Sequence, residues 1–246
     1  MNMKKQRWNI VLFIGLMGLT FWVLFKDNSI GQTIDVWMNM KLGWIVAAVI
    51  AALSFVCLEG FIIWKLLHIK DYHVSAWKCF RYSFVGFFFS GITPSATGGQ
   101  PVQLYCMNKD RIKLSDSTAI LMTVGIMYKF VLVLQGIILR LVWGKGLRAY
   151  LGNYIYLFWF GLFLNIIVVL VLGLIMLKPR IFTYLVMLIE KFLVRIHLLK
   201  AKPERKVRLQ NMVKEYGETV QFFVGKWKYL LLVLGFTFLQ RTILFL

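Results

Sequence analysis

Solid apolar runs, rather than alternating ones, set the pattern of this chain. Trp8 to Phe25, Leu42 to Leu67, Ser115 to Trp143, Tyr154 to Leu177 and Tyr229 to Leu246 each approach or exceed the roughly 18–20 residues that cross a bilayer as a helix. A membrane β-barrel would show short alternating segments instead. The predicted fold is therefore all-α and polytopic. It is a single transmembrane domain over 1–246, a helical bundle of about five full spans with a re-entrant broken helix and surface amphipathic helices. The first run is too long for a signal-peptide core and is followed by no small-x-small cleavage site, so it reads as a retained helix.

One stretch interrupts the pattern. Between the basic positions Arg81 and Lys109 the apolar part, Ser83 to Ile92, is about half the length of a span. It runs into Thr93-Pro94-Ser95-Ala96-Thr97-Gly98-Gly99-Gln100-Pro101, where two prolines remove amide donors and two glycines open backbone angles closed to other residues. Irregular backbone at membrane depth is tolerated where it is buried in protein or lines a wet cavity. Charge counting decides between crossing and returning. A segment of about 79–106 that enters and returns puts 22 loop Lys and Arg inside against 4 outside, whereas a crossing segment gives 9 against 17. The re-entrant arrangement follows, with the N-terminus (Lys4, Lys5, Arg7) in the cytoplasm.

Ser115-Asp116-Ser117 offers cap candidates for the next helix, with Asp116 suited to the positive end of its dipole. Gly144 to Asn153 reads as a short loop, and Tyr154, Tyr156 and Trp159 as an interfacial aromatic belt. The segment of about 178–228 reads as cytoplasmic, amphipathic and basic. Ile181, Leu185, Leu188, Phe192, Ile196 and Leu199 recur at helical spacing beside Glu190, Lys191 and Arg195, the pattern of a helix lying on a membrane surface. Leu209, Met212, Val213, Tyr216, Val220 and Phe223 form a second such face. The last apolar run has barely finished at Leu246, and the expectation is a chain truncated at its C-terminus.

Composition sharpens the partner more than the fold. A mean hydropathy of +0.73 and 60% hydrophobic residues exclude a soluble globular domain, and the net charge of +19 lies in loops flanking spans. Anionic phospholipids are the fitting partner for charge so placed, and direct nucleic-acid binding is not expected. Cys57, Cys79 and Cys106 have no metal-type spacing, and no metal site, cofactor, nucleophile elbow, P-loop or catalytic carboxylate pair is legible. No catalytic residue is expected. Two intramembrane charges stand out: Glu59, roughly 12 Å deep, and Lys129, nearer 20 Å, at the helical rise per residue. They are expected to pair across the bundle, either to serve a pathway or only to lock two helices. Arg140 is expected to snorkel to headgroups. Arg81 and Lys78, at the foot of the broken helix, either draw an anionic headgroup inward or are ordinary cytoplasmic charges. Ser95, Thr97 and Gln100, with the exposed amides of the break, can hold a phosphate without a metal.

The string Pro94-Ser95-Ala96-Thr97-Gly98-Gly99-Gln100-Pro101, followed by Gln103-Leu104-Tyr105 and a Lys109-Asp110-Arg111-Ile112 turn, resembles the lysylphosphatidylglycerol synthase transmembrane (flippase-like) family. That family includes the membrane half of the bacterial multiple peptide resistance factor. The resemblance implies a multi-pass protein of the bacterial inner membrane that moves lysylphosphatidylglycerol or other phospholipids between leaflets. Its headgroup site would lie at Arg81, Pro94, Ser95, Thr97, Gly98, Gly99, Gln100, Gln103 and Tyr105. In the resistance factor a soluble acyltransferase domain makes the lipid, and no such domain is present in this sequence. A homo-oligomer or a separate acyltransferase is then the implied partner. The family name carries an alternative, phosphatidylglycerol lysyltransferase activity contributing to cationic peptide resistance; a membrane scaffold is a third. The chain departs from some relatives at Gln100 and Gln103, where they carry an acid and an arginine.

Overall fold

The computed structural model describes residues 40–93, 96–195 and 203–244, with Gly15, Gly18 and Trp22 in addition. The predicted first span, Trp8 to Phe25, and the residues Pro94 and Ser95 of the break lie outside the described residues. Everything regular that is described is helical. In chain order the helices are α1 (Leu42–Ile69), α2 (Ala76–Ile92), α3 (Gly99–Lys109), α4 (Leu114–Leu151), α5 (Ile155–Leu177), α6 (Pro179–Arg195), α7 (Pro203–Gly225) and α8 (Trp227–Leu244), with a 3-10 turn at Gly152–Tyr154. By length and apolar content, α1 and the run Leu114–Leu177 qualify as membrane-crossing, and the bent pair α7–α8 is a third candidate.

The interrupted stretch forms a helical hairpin. α2 and α3 run antiparallel, so that Gly99 lies against Gly86 and Ser90, Gln103 against Gly86, and Asp110 against Lys78, Arg81 and Tyr82. Glycine makes the packing close. A Cβ on Gly99 would stand 2.6 Å from the carbonyl oxygen of Gly86, and one on Gly60 of α1 would stand 2.8 Å from the Cα of Phe80. Only an absent side chain allows backbones this near. The foot of the hairpin is set by two similar turns. Asp71 and Arg111 take positive φ (61° and 65°), and the amides behind them, Tyr72 and Ile112, reach back to the carbonyls of Leu67 and Met107 at 3.0 and 3.1 Å. Such turns satisfy the orphan carbonyls of a helix end and stop it sharply.

The expected cap at Ser115–Ser117 is not made. The cap position of α4 is Lys113, without a side-chain cap bond. Asp116 does occupy the first turn, yet it is buried and accepts hydrogen bonds from Tyr72 Oη (2.5 Å) and from Thr219 of α7. Ser115 donates to Glu215 at 2.8 Å. These side chains turn away from their own helix end because α7 packs there, and a buried carboxylate draws donors from neighbouring elements. Burial and the bond to Asp116 push the Tyr72 hydroxyl up to about 12. The expected loop after Trp143 is also helical. Helix α4 breaks at Trp143 (φ −124°, ψ 27°) and resumes to Leu151 before the chain turns into α5. α5 runs back along α4, with Leu162 at the Gly136 position and Met176 near Ala119.

The two amphipathic segments part ways. α7 buries Val213, Tyr216, Val220 and Phe223 against α4, α6 and the α1 core, with Tyr216 stacked on Phe182 at 3.9 Å. α6 instead leaves Ile181, Tyr184, Leu188 and Phe192 exposed along one face, as an apolar stripe at helical spacing suits a lipid boundary. After an 85° bend at Lys226, α8 enters the bundle antiparallel to α1, pairing Phe236 with Phe61 and Gln240 with Phe55. It thereby packs against both α1 and α4.

Candidate functional site

Where the hairpin tip meets α1, α4 and α8, the bundle forms a half-open cavity of 610 Å³. Its polar lining is Ser90, Gln100 and Gln103 from the hairpin, Glu59 from α1, Lys129 and Tyr128 from α4, and Thr237, Gln240 and Arg241 from α8. Gly86, Gly91, Gly99 and Gly125 line it too, which keeps the space open where side chains would fill it. Gln103 is buried and donates through Nε2 to Glu59 Oε1 at 3.2 Å. The amide of Gln100 reaches across toward α4, 3.4 Å from where a Cβ on Gly125 would sit. Gln240 ties α8 to α1 by donating to the Phe55 carbonyl at 2.9 Å.

The residues expected from the sequence divide here. Gly99, Gln100, Gln103, Glu59 and Lys129 come together on the cavity. Gly98 stands just outside it, its amide donating to Thr93 Oγ1 at 2.9 Å, which in turn donates to the Phe89 carbonyl. Thr97 is exposed in the turn beside it, and Tyr105 is 69% exposed on the far face of α3. Arg81 sits at the foot of the hairpin rather than at the cavity.

The expected Glu59–Lys129 ion pair is not formed. The ion pairs among the described residues are Lys78–Asp110, Arg81–Asp110 and Lys113–Glu215, all at the turns. Arg241 of α8 is the cation that acts on Glu59, and the Lys129 ammonium lies by the Tyr128 ring instead. Arg241, Gln240, Thr237, Tyr128 and Ser90 were not singled out by sequence. A signal for Arg241 did exist, since an arginine inside an apolar run is a functional candidate by default.

At the foot, Asp110 accepts from Tyr82 Oη (2.5 Å), Lys78 Nζ (3.2 Å) and Arg81 (3.1 Å). The Tyr82 bond first, then Lys78 and Arg81, hold its carboxyl below the usual 3.8. A carboxyl depressed on folding adds stability that is present above its unfolded value and lost as pH falls through the folded one. Thermal unfolding in detergent should show the hairpin weakening as pH drops below 3.8. Asp110→Asn should remove that dependence and cost roughly 1–2 kcal/mol at neutral pH, most of it from the buried tyrosine bond rather than the exposed cations. An unchanged acid profile in Asp110→Asn would assign the foot no such role.

A bundle of apolar helices around a polar cavity, closed at one side by a broken hairpin, is the build of an integral membrane protein. A family model described as the lysylphosphatidylglycerol synthase TM region matches residues 9–246, and the chain belongs to that family. Searches of curated proteins and of solved structures each found no match.

Proposed function

We propose that this protein is a lipid translocase of the bacterial inner membrane, handling phospholipid headgroups such as that of lysylphosphatidylglycerol. The observation that carries the reading is the cavity itself. It places a carboxylate, two cations and three amide side chains inside a bundle whose outer surfaces are apolar. Polar groups at membrane depth cost several kcal/mol each when unsatisfied, so a cluster of them around open space fits a pathway better than a lock between helices.

In this reading the hairpin enters from the cytoplasmic face and returns to it, with the Lys70 and Lys109 turns both at the inner headgroups. The N-terminus is cytoplasmic, and the protein is multi-pass, with about five spans. A headgroup arriving past Arg81 and Lys78 is taken up at Gln100 and Gln103, against Glu59 on one wall and Lys129 and Arg241 on the other. Thr97 stands exposed in the break, and Ser95 beside it lies outside the described residues. The residues on the cavity wall can bind and pass a headgroup through their charges and amides.

The test is leaflet exchange by the full chain reconstituted in vesicles containing a fluorescent phospholipid, read by quenching from outside. Exchange well above that of empty vesicles is expected; a correctly folded preparation with none removes the reading. Asn108→Cys reports the hairpin separately: it should label from the cytoplasmic side, and labelling from the outside alone would require α2 and α3 to cross.

A further inference from the structure

Arg241 is the least answered charge in the described bundle. The residue is 6% exposed, its Nε has no hydrogen-bond partner, and no carboxylate lies within ion-pair distance of it among the described residues. Its close neighbours are rings. The guanidinium carbon stands 3.2 Å from the centroid of Tyr128 and 4.7 Å from that of Phe55. Aromatic faces stabilise a cation, but they leave its in-plane N–H donors unused.

Charge balance points the same way. Among the described residues Glu59 is the only acid on the cavity wall, it accepts from Gln103, and two cations share the space with it. The wall thus carries one formal positive charge in excess. A sheltered, planar fork of donors in such a place suits a tetrahedral oxyanion with a single negative charge, which describes a phosphodiester.

Next along α4 and α8 lies an apolar groove of 560 Å³, lined by Leu132, Leu139, Val142 and Phe238 and bridged where Gln135 donates to Thr242 at 3.2 Å. The groove and the cavity share their two walls. Tyr128 and Arg241 face the cavity; Leu132 and Thr242, one turn and one residue on, face the groove. Leu139 is 42% exposed, so the groove is open sideways to whatever surrounds the bundle.

We infer that Arg241 binds the phosphodiester of a glycerophospholipid whose acyl chain lies in the groove between α4 and α8. The lipid is then held with its headgroup toward the basic turns and its tail pointing away from them. This deepens the translocase reading, on which it rests for the direction from which the lipid arrives.

The experiment measures binding of dihexanoylphosphatidylglycerol to the full chain in detergent, beside inorganic phosphate and neutral dihexanoylglycerol. The phospholipid should bind best, because only it offers both the anion and the chain. Arg241→Gln should weaken it about ten-fold, the size of one lost charge-assisted contact in a sheltered site, and Arg241→Lys should weaken it less. Leu139→Trp fills the groove from an exposed position and should weaken the phospholipid while sparing phosphate. Unchanged phospholipid affinity in Arg241→Gln overturns the inference, as does phosphate binding as tightly as the lipid. Should Arg241→Gln not fold, Leu139→Trp decides, and unchanged affinity there overturns it too. Leaflet exchange is scored apart: Arg241-dependent binding without exchange removes the transport reading and keeps this one, and exchange with Arg241-independent binding does the reverse.

Discussion

Gly60→Leu should leave little folded protein. A side chain at Gly60 begins 2.8 Å from the Cα and 3.0 Å from the amide nitrogen of Phe80, and neither is an atom that can swing aside. Helix α2 would have to move off α1 as a body, carrying the hairpin and the cavity wall at Gly86 and Ser90 with it. Overpacking at a backbone contact of this kind is expected to cost about 3 kcal/mol or more. Thermal unfolding in detergent measures it. Gly235→Leu is the control: nothing lies within 4 Å of its would-be Cβ, so it should change stability by no more than about 0.5 kcal/mol. Equal behaviour of the two variants would mean that α1 and α2 do not meet at Gly60.

The second large effect is expected at Glu59. Glu59→Gln keeps an amide to meet Gln103 but removes the one negative charge facing Lys129 and Arg241. With no direct ion pair to break, loss of this charge across the cavity is expected to cost roughly 1–2 kcal/mol, together with most of the leaflet exchange. Arg241→Gln added to it should restore part of the loss. A double-mutant cycle should give a coupling of roughly 1 kcal/mol or more, since the two groups share one cavity. Strict additivity would mean that Glu59 and Arg241 do not feel each other. The same cycle with Lys129 should give less, because Lys129 is only half-buried and its ammonium stands 5.4 Å from the Tyr128 ring centroid.

The hairpin was readable because its signals are local. A short apolar approach, a Pro/Gly break and basic turns on both sides all fall within forty-odd residues, roughly the scale on which composition and charge rules act. The buried face of α7 was readable for a similar reason, as periodicity marks an apolar face whatever covers it. What covers it was not. The same rule gave Ile181 to Leu199 and Leu209 to Phe223 like descriptions, yet α6 keeps its stripe exposed and α7 buries its own under α4. The Asp116 bonds to Tyr72 and Thr219 join residues about 44 and 103 positions apart, and no spacing rule reaches that far. The Glu59–Lys129 expectation failed on a third body. Depth along two helices says nothing about a third that brings its own cation to the same cavity, as α8 does with Arg241. The apolar run ends at Trp143 and predicts a loop after it, whereas the chain bends there and continues as helix.

The paired turns at Asp71 and Arg111 bear on how the protein is made. A helix that crosses the membrane must pull its leading flank through the insertion machinery, and each lysine or arginine carried through the bilayer centre costs a few kcal/mol on insertion scales. A hairpin whose two feet lie together need carry none. In the re-entrant topology proposed above, Lys70, Lys78 and Arg81 before it and Lys109, Arg111 and Lys113 after it would stay on the side where synthesis left them, and the sequence between Tyr82 and Asn108 carries no charge to submerge. On that proposed topology, the foot around Asp110 joins Lys78, Arg81 and Tyr82 to the far end of the hairpin without any of these charges having to cross the bilayer.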